Sequence, residues 1–269
     1  MKARCCAATA LTQANPWSRT GYTFQGWSTN SGASTPLSSY TVTAAVTLYA
    51  VWTANPHTLA FDTGVGGSSV SSLTVSFGSN LRTQLNSVTN PARTGYTFSK
   101  WQISGSDITS SQTMPDTDVL VTAVWTINRH SVLFDNGAGA TTTAAVTNVA
   151  YAADLDALIN AKARPTRTGY TWEAWQISGV DITSSETMPD ADVTVTVRWT
   201  INTYTVSFSN GSGATTTPSV SGVEYLSDLD ALVASKTHPT RTGYTFTGWD
   251  NGSQKLAPGT SVVVGTSDI

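Results

Sequence analysis

The sequence predicts an α+β chain of tandem units, about 74 residues each, ordered strand, strand, helix, strand, strand. Three observations carry that expectation. The stretch RTGYTFQGW at residue 19 recurs as RTGYTFSKW at 93, RTGYTWEAW at 167 and RTGYTFTGW at 241, a spacing of 74 each time. A fixed period of this kind sets the architecture before any single motif does. Between recurrences lies one segment with helical periodicity, and most of the remaining apolar residues alternate with the period of two that marks a half-buried strand.

The third unit, from His130 to Trp199, shows each element in order. HSVLF places Val132 and Phe134 on one face of a first strand. DNGAGATTT breaks the chain with Gly and Asn, and AAVTNVAY supplies a second extended piece. In AADLDALINAKA, Leu155, Leu158 and Ile159 stand at i, i+3 and i+4 on one helical face. Asp154 and Asp156 are assigned to the first turn, where the helix dipole favours negative charge. The last unit repeats the segment as SDLDALVASK, with Ser227 three before Asp230 as a capping-box signature. Pro165 is expected to stop the helix.

The recurring motif follows. Gly169 is expected to take a positive φ in a tight turn, with Tyr170 and Trp172 alternating onto one face. Trp175 is out of phase by one residue, which predicts a bulge at Ala174, where the first and last units carry Gly26 and Gly248. DVTVTVRW closes the unit, with Val193, Val195, Val197 and Trp199 facing in and Thr194, Thr196 and Arg198 facing out.

A unit this small buries only about 60% of its unfolded surface. Large rings, each removing roughly 150–250 Å² from water, are the remedy. The expected core is therefore Tyr22, Phe24, Trp27 and Trp52 in the first unit, and Phe61, Tyr96, Phe98, Trp101 and Trp125 in the second. Phe134, Tyr170, Trp172, Trp175 and Trp199 serve the third unit, and Phe208, Tyr244, Phe246 and Trp249 the fourth. A cradle of exposed rings for a ligand is the competing reading.

Composition narrows the function classes. The net charge is −3 with only 12% charged residues, which gives no basic field for nucleic acid. Cys5 and Cys6 are adjacent and precede the first motif, so no repeat carries a disulfide or thiol metal site. MKARCCAATALTQANP starts with charge, but its apolar part is short for a secretory signal, and no apolar region precedes Cys5 as a lipoprotein would need. No run approaches the roughly 18 apolar residues of a membrane span. His57, His130 and His238 are too scattered for a triad or metal cluster, and His57 and His130 simply open equivalent strands. SNGSGATTT lacks the third glycine and following helix of a dinucleotide fingerprint. No cofactor is expected. Asp116 with Asp118, and Asp190 with Asp192, form an MPDxDV pair that is either a weak calcium candidate or ordinary turn chemistry. Arg19, Arg93, Arg167 and Arg241 either meet an acidic partner or lie over a neighbouring ring.

PTRTGYTFTGW, preceded by YTVSFSNGSG and, in the first unit, followed by VTLYAVW, resembles the Listeria-Bacteroides repeat, also called the internalin B-type B-repeat. The TMPDADVTVTVRW ending resembles a divergent branch of it. The resemblance implies a β-grasp-like unit, no catalytic residues, and a place in extracellular or surface-attached bacterial proteins as a stalk or adhesion module. It implies as partners a host or cell-surface protein or glycan, and neighbouring repeats of a longer chain. On this alignment the units are 1–53, holding only the helix and last two strands; 57–126; 130–200; and 204–269, cut before its last strand. CCAATALTQA is then expected at the helix position of the first unit, with Leu11 opposite Ile159, and the fourth unit is expected to expose a sheet edge.

Overall fold

A computed structural model describes residues 9–10, 18–183, 185–257 and 262–269. Among these the chain is mostly β-sheet, in small tandem sheets accompanied by three six-residue helices. It divides into two compact units, Met1–Asn128 and Arg129–Ile269.

The first unit opens with β1 (Thr9–Ala10), β2 (Tyr22–Ser28), β3 (Ser39–Tyr40) and β4 (Tyr49–Ala54). β2 and β4 form an antiparallel pair, and β1 pairs with β3. Thr9 and Ala10 are thus extended rather than helical, since they ladder with Ser39 and Tyr40; Leu11 and the rest of CCAATALTQA lie outside the described residues. The second repeat follows as β5 (Pro56–Asp62), β6 (Leu73–Ser76), α1 (Leu81–Asn86), β7 (Tyr96–Ile103), β8 (Ser106–Asp107) and β9 (Val119–Ile127). Its five strands form one sheet in the order β6-β5-β9-β7-β8. The first and last long strands, β5 and β9, run parallel at the centre, with Leu59 opposite Val119 and Asp62 opposite Thr122.

The second compact unit repeats this plan with β10 (Arg129–Asp135), β11 (Val146–Ala150), α2 (Leu155–Asn160), β12 (Tyr170–Ile177), β13 (Val180–Asp181) and β14 (Val193–Ile201), ordered β11-β10-β14-β12-β13. The fourth repeat contributes β15 (Thr203–Val206), β16 (Val220–Glu224), α3 (Leu229–Ala234), β17 (Trp249–Asp250) and β18 (Lys255–Leu256). There Ile269 exchanges backbone hydrogen bonds with Ser207 and Thr205, at the edge of β15.

Period-two burial explains the sheets. In β14, Val193 and Val195 are buried while Thr194 and Arg198 are exposed. The phase slip of Trp175 is absorbed between Trp172 and Ala174, where the ladder with β14 shifts register. Each full repeat folds its helix onto the sheet over a small core. In the third repeat Val132, Leu155, Ile159, Trp175, Met188 and Val195 are all buried. In the second, Leu59, Leu81, Trp101, Met114 and Val121 play the same part.

The helices differ in detail from expectation. Asp154 is the N-cap, its carboxylate accepting from Ala157 N–H, and only Asp156 lies in the first turn. In the last repeat the cap is Asp228, which accepts from Ala231 N–H, so the capping box through Ser227 does not form. Asp228 directly precedes the first helical residue, Leu229, so its carboxylate is placed to accept the free Ala231 N–H, while Ser227 stands one residue too early. The helix also ends at Asn160, well before Pro165. The short strands β8 and β13 were not anticipated. Each closes a hairpin over a Ser-Gly pair with both φ positive (Ser104 47°, Gly105 78°; Ser178 51°, Gly179 79°), the mirror-image turn that suits strand twist.

Candidate functional site at the joints between repeats

Within the first compact unit the two repeats meet at Asn55, between β4 and β5. Its N–H donates to Gly21 O at 2.8 Å, and its carbonyl accepts Phe77 N–H at 2.8 Å. Its side-chain amide donates to Asp116 at 2.9 Å, and its side-chain oxygen accepts from the Thr23 hydroxyl at 2.7 Å. One side chain and one peptide therefore tie together β2, β6 and the MPDTD segment.

Around this residue lies an apolar seat. The RTGY turn closes by Tyr22 N–H donating to Arg19 O, with Gly21 at φ +78°. The Phe77 ring rests on Gly21 so closely that a Cβ there would lie 2.2 Å from it. Tyr22 meets Phe77 edge-on at 5.5 Å, and the Arg19 guanidinium lies 3.8 Å from the centre of the tyrosine ring. The same stacking holds for Arg93 on Tyr96, Arg167 on Tyr170 and Arg241 on Tyr244, at 3.8–4.0 Å.

Asp116 gives the joint its charge. It accepts Gly21 N–H at 3.0 Å and lies 2.8 Å from His57 Nε2, while Asp118 accepts Thr58 N–H at 2.6 Å. The hydrogen bond from Asn55, then that from His57, holds the Asp116 carboxyl below the usual carboxylate range. These are donors, not the oxygen ligands a hard cation needs. In the third repeat His130 lies 2.9 Å from Asp190, and Asp192 accepts Ser131 N–H at 2.7 Å. The two histidines that seemed only to open strands each face a carboxylate about sixty residues later in the chain.

The second compact unit contains the same joint at Asn202, which donates its N–H to Gly169 O, accepts Tyr225 N–H, and accepts the Thr171 hydroxyl at 2.6 Å. Tyr225 rests on Gly169 and meets Tyr170 edge-on at 6.2 Å. Here Tyr204 and Thr266 take the places of His57 and Asp116, so this joint lacks the carboxylate. Asp268 still caps the strand, accepting Thr205 N–H at 2.7 Å.

The sequence-selected rings divide between two settings. Trp101 and Trp175 are buried, with Phe61, Phe98, Phe134, Trp172, Phe208 and Trp249 packed against the cores. Trp125 and Trp199 are half-buried and donate their indole N–H to Thr63 O and Asn136 O. In the first repeat Phe24 meets Trp27 and Trp52 edge-on, and in the fourth Phe246 meets Trp249. The tyrosines are the correction. Tyr22 and Tyr170 face the next repeat rather than their own core, and Tyr244 is 67% exposed.

Sequence reasoning missed Asn55, Asn202, Phe77, Tyr225 and the buried Met114 and Met188. The signal was present: Asn recurs at 55, 128 and 202, and an aromatic at 77, 151 and 225.

Family comparison accounts for the repetition. The Listeria-Bacteroides repeat domain matches residues 7–51 and 204–269, and the divergent InlB B-repeat domain matches 57–129 and 130–203. The chain belongs to this B-repeat family. It is 28% identical over 249 residues to a protein of Evansella cellulosilytica whose name describes a Gly-rich membrane protein, covering 90% of this chain and 27% of that one. A second membrane protein by name, from the same organism, is 25% identical over 277 residues, covering 97% of this chain and 40% of its own length. Internalin H of Listeria monocytogenes is 38% identical over 96 residues, covering 34% of this chain and 16% of the internalin. The B-repeat chain thus spans well under half of each relative. Among the described residues no helix is long and apolar enough to cross a membrane.

Proposed function

We propose that this chain is a non-enzymatic stretch of a bacterial cell-surface array. Its β-grasp-like units, at 1–53, 57–126, 130–200 and 204–269, act as stalk and adhesion module outside the cell, with a host or cell-surface protein or glycan as the eventual partner. The observation that supports this reading most is the joint. Asn55 uses every hydrogen-bonding group it has to bind one repeat to the next, and the Phe77 ring leaves no room at Gly21 for even a methyl group. A linker of one or two residues fastened this way resists bending, as a spacer must.

The parallel centre of the sheet supports a load-bearing role. Tension applied at Pro56 and Ile127 pulls β5 and β9 past one another along their length. Leu59 to Asp62 and their partners Val119 to Thr122 are then sheared together rather than unzipped singly. Single-molecule force spectroscopy on the full chain tests this. High-force, all-or-none opening of the second and third repeats is expected; gradual opening at very low force would overturn the load-bearing reading.

A further inference from the structure

Three asparagines in the chain are followed directly by glycine: Asn136 by Gly137, Asn210 by Gly211 and Asn251 by Gly252. The carbon of such a carboxamide is open to attack by the next peptide nitrogen, because glycine brings no Cβ to crowd the approach. Whether attack succeeds depends on the carboxamide, which must present an electron-poor carbon and release its own nitrogen. At the first two pairs it is held in the opposite sense. Asn136 is 7% exposed, and its Nδ2 donates to Thr141 O at 2.6 Å and Thr143 Oγ1 at 2.9 Å. Asn210 repeats this with Thr215 O and Thr217 Oγ1. In both, the nitrogen that would leave is tied down, and the side-chain oxygen is buried with no hydrogen bond.

At the third pair the arrangement is reversed. Asn251 lies exposed in the turn between β17 and β18. Its Oδ1 accepts the N–H groups of Ser253 and Gln254, both at 3.0 Å, while no hydrogen bond among the described residues holds its Nδ2. Two peptide N–H groups at this distance draw charge from the carbonyl and stabilise the oxyanion that forms when a nucleophile adds. The nucleophile is the Gly252 nitrogen, whose N–H donates to the Asp250 carboxylate at 3.0 Å, so an acceptor for the departing proton is in place. Asp135 holds the Gly137 N–H in the same way, also at 3.0 Å, so the contrast between those two pairs lies in the carboxamide. A Cβ at Gly252 would meet nothing within 4 Å, so the turn around the reacting atoms is uncrowded.

From this geometry we infer that Asn251 is a site of self-modification, selected from the three by the fold. The Gly252 nitrogen bonds to Asn251 Cγ as its proton passes to Asp250. The Cγ–Nδ2 bond then breaks, and Nδ2 leaves as ammonia with that proton, closing a five-membered succinimide. Water opens the ring at either carbonyl, giving aspartate, or isoaspartate with the main chain rerouted through Cγ. Either product adds one negative charge to a chain of net charge −3, next to Asp250. The isoaspartate form also inserts a methylene into a turn closed by Asn251 N–H on Gln254 O, which loosens the hairpin that carries Trp249. The site does not depend on the stalk reading, because every reacting group lies within one turn of the fourth repeat.

The test is incubation of the 269-residue chain at neutral pH, with samples digested over time and conversion at each of the three asparagines read by mass spectrometry. Labelling with an isoaspartyl methyltransferase identifies the isoaspartate product. Asn251 is expected to convert about tenfold or more faster than Asn136 and Asn210. Asp250→Ala is expected to slow Asn251 about tenfold or more while leaving the other two sites as internal controls. In chain unfolded by urea the three rates are expected to converge, since the hydrogen bonds that distinguish them are gone. Comparable rates at the three asparagines of the folded chain would overturn the proposal. So would an Asn251 rate indifferent to Asp250→Ala, or an Asn251 excess that persists in urea.

Discussion

Gly21→Ala isolates the joint from ordinary backbone strain when it is set beside Gly64→Ala. Both glycines have positive φ, +78° and +69°, so an alanine at either site carries a conformational cost of about 1–2 kcal/mol. The surroundings differ: a Cβ at Gly64 meets nothing within 4 Å, whereas at Gly21 it lies 2.2 Å from the Phe77 ring. Phe77 must then move, losing its edge-on contact with Tyr22, about 0.5–1.5 kcal/mol. It also strains the Phe77 and Asn55 hydrogen bonds, about 1 kcal/mol each. The extra cost at Gly21 is therefore about 2.5–3.5 kcal/mol, or roughly seventy- to four-hundredfold in local opening. Amide hydrogen exchange on the full chain reads it directly at the Asn55 and Phe77 N–H groups, both donors within the joint. Equal protection of those two amides in the Gly21 and Gly64 variants would refute the reasoning.

Trp175→Ala is expected to destabilise the third repeat by about 3–5 kcal/mol, because the indole is 3% exposed and packs on Phe134 and Trp172; a loss under about 1 kcal/mol in thermal unfolding would contradict its core role. For Asp116 the folded-state pKa is depressed, so its contribution is present above the unfolded carboxylate value, near 4, and is lost as pH falls through the lower folded value. The Asn55 amide should accordingly lose protection in acid more than the Asn202 amide, whose joint has Thr266 in place of the carboxylate, and Asp116→Asn should remove the difference. Since protein donors surround Asp116, excess EDTA should leave the melting temperature unchanged, and a drop that calcium restores would revive a cation site.

How much of this was legible in the sequence depends on whether the information was local. Strand phase is local: Val193, Val195 and Trp199 alternate visibly, and the slip at Trp175 with Gly at the matching positions located the bulge. Helix position was legible from Leu155, Leu158 and Ile159, but choosing Asp228 over Ser227 as cap needs the direction of one carboxylate. Alternation places Tyr22 and Phe24 on the same side of a strand without saying which neighbour covers that side at its end. Tyr22 and Tyr170 therefore read as inward in the sequence, whereas the next repeat receives them, and Tyr244 is exposed. The His57 and Asp116 pairing is non-local, yet it left a trace, since the second and third repeats carry both residues and the fourth carries neither.

The central claim is that the two repeats joined at Asn55, like the two joined at Asn202, are locked rather than hinged. Spin labels at Gln25→Cys and Thr122→Cys, in a chain with Cys5 and Cys6 changed to serine, report the first and second repeats, and pulsed dipolar spectroscopy reads the distance between them. A single narrow distribution is expected, broadened by replacing Asn55 with glycine. A broad distribution in the otherwise unaltered chain would contradict the account.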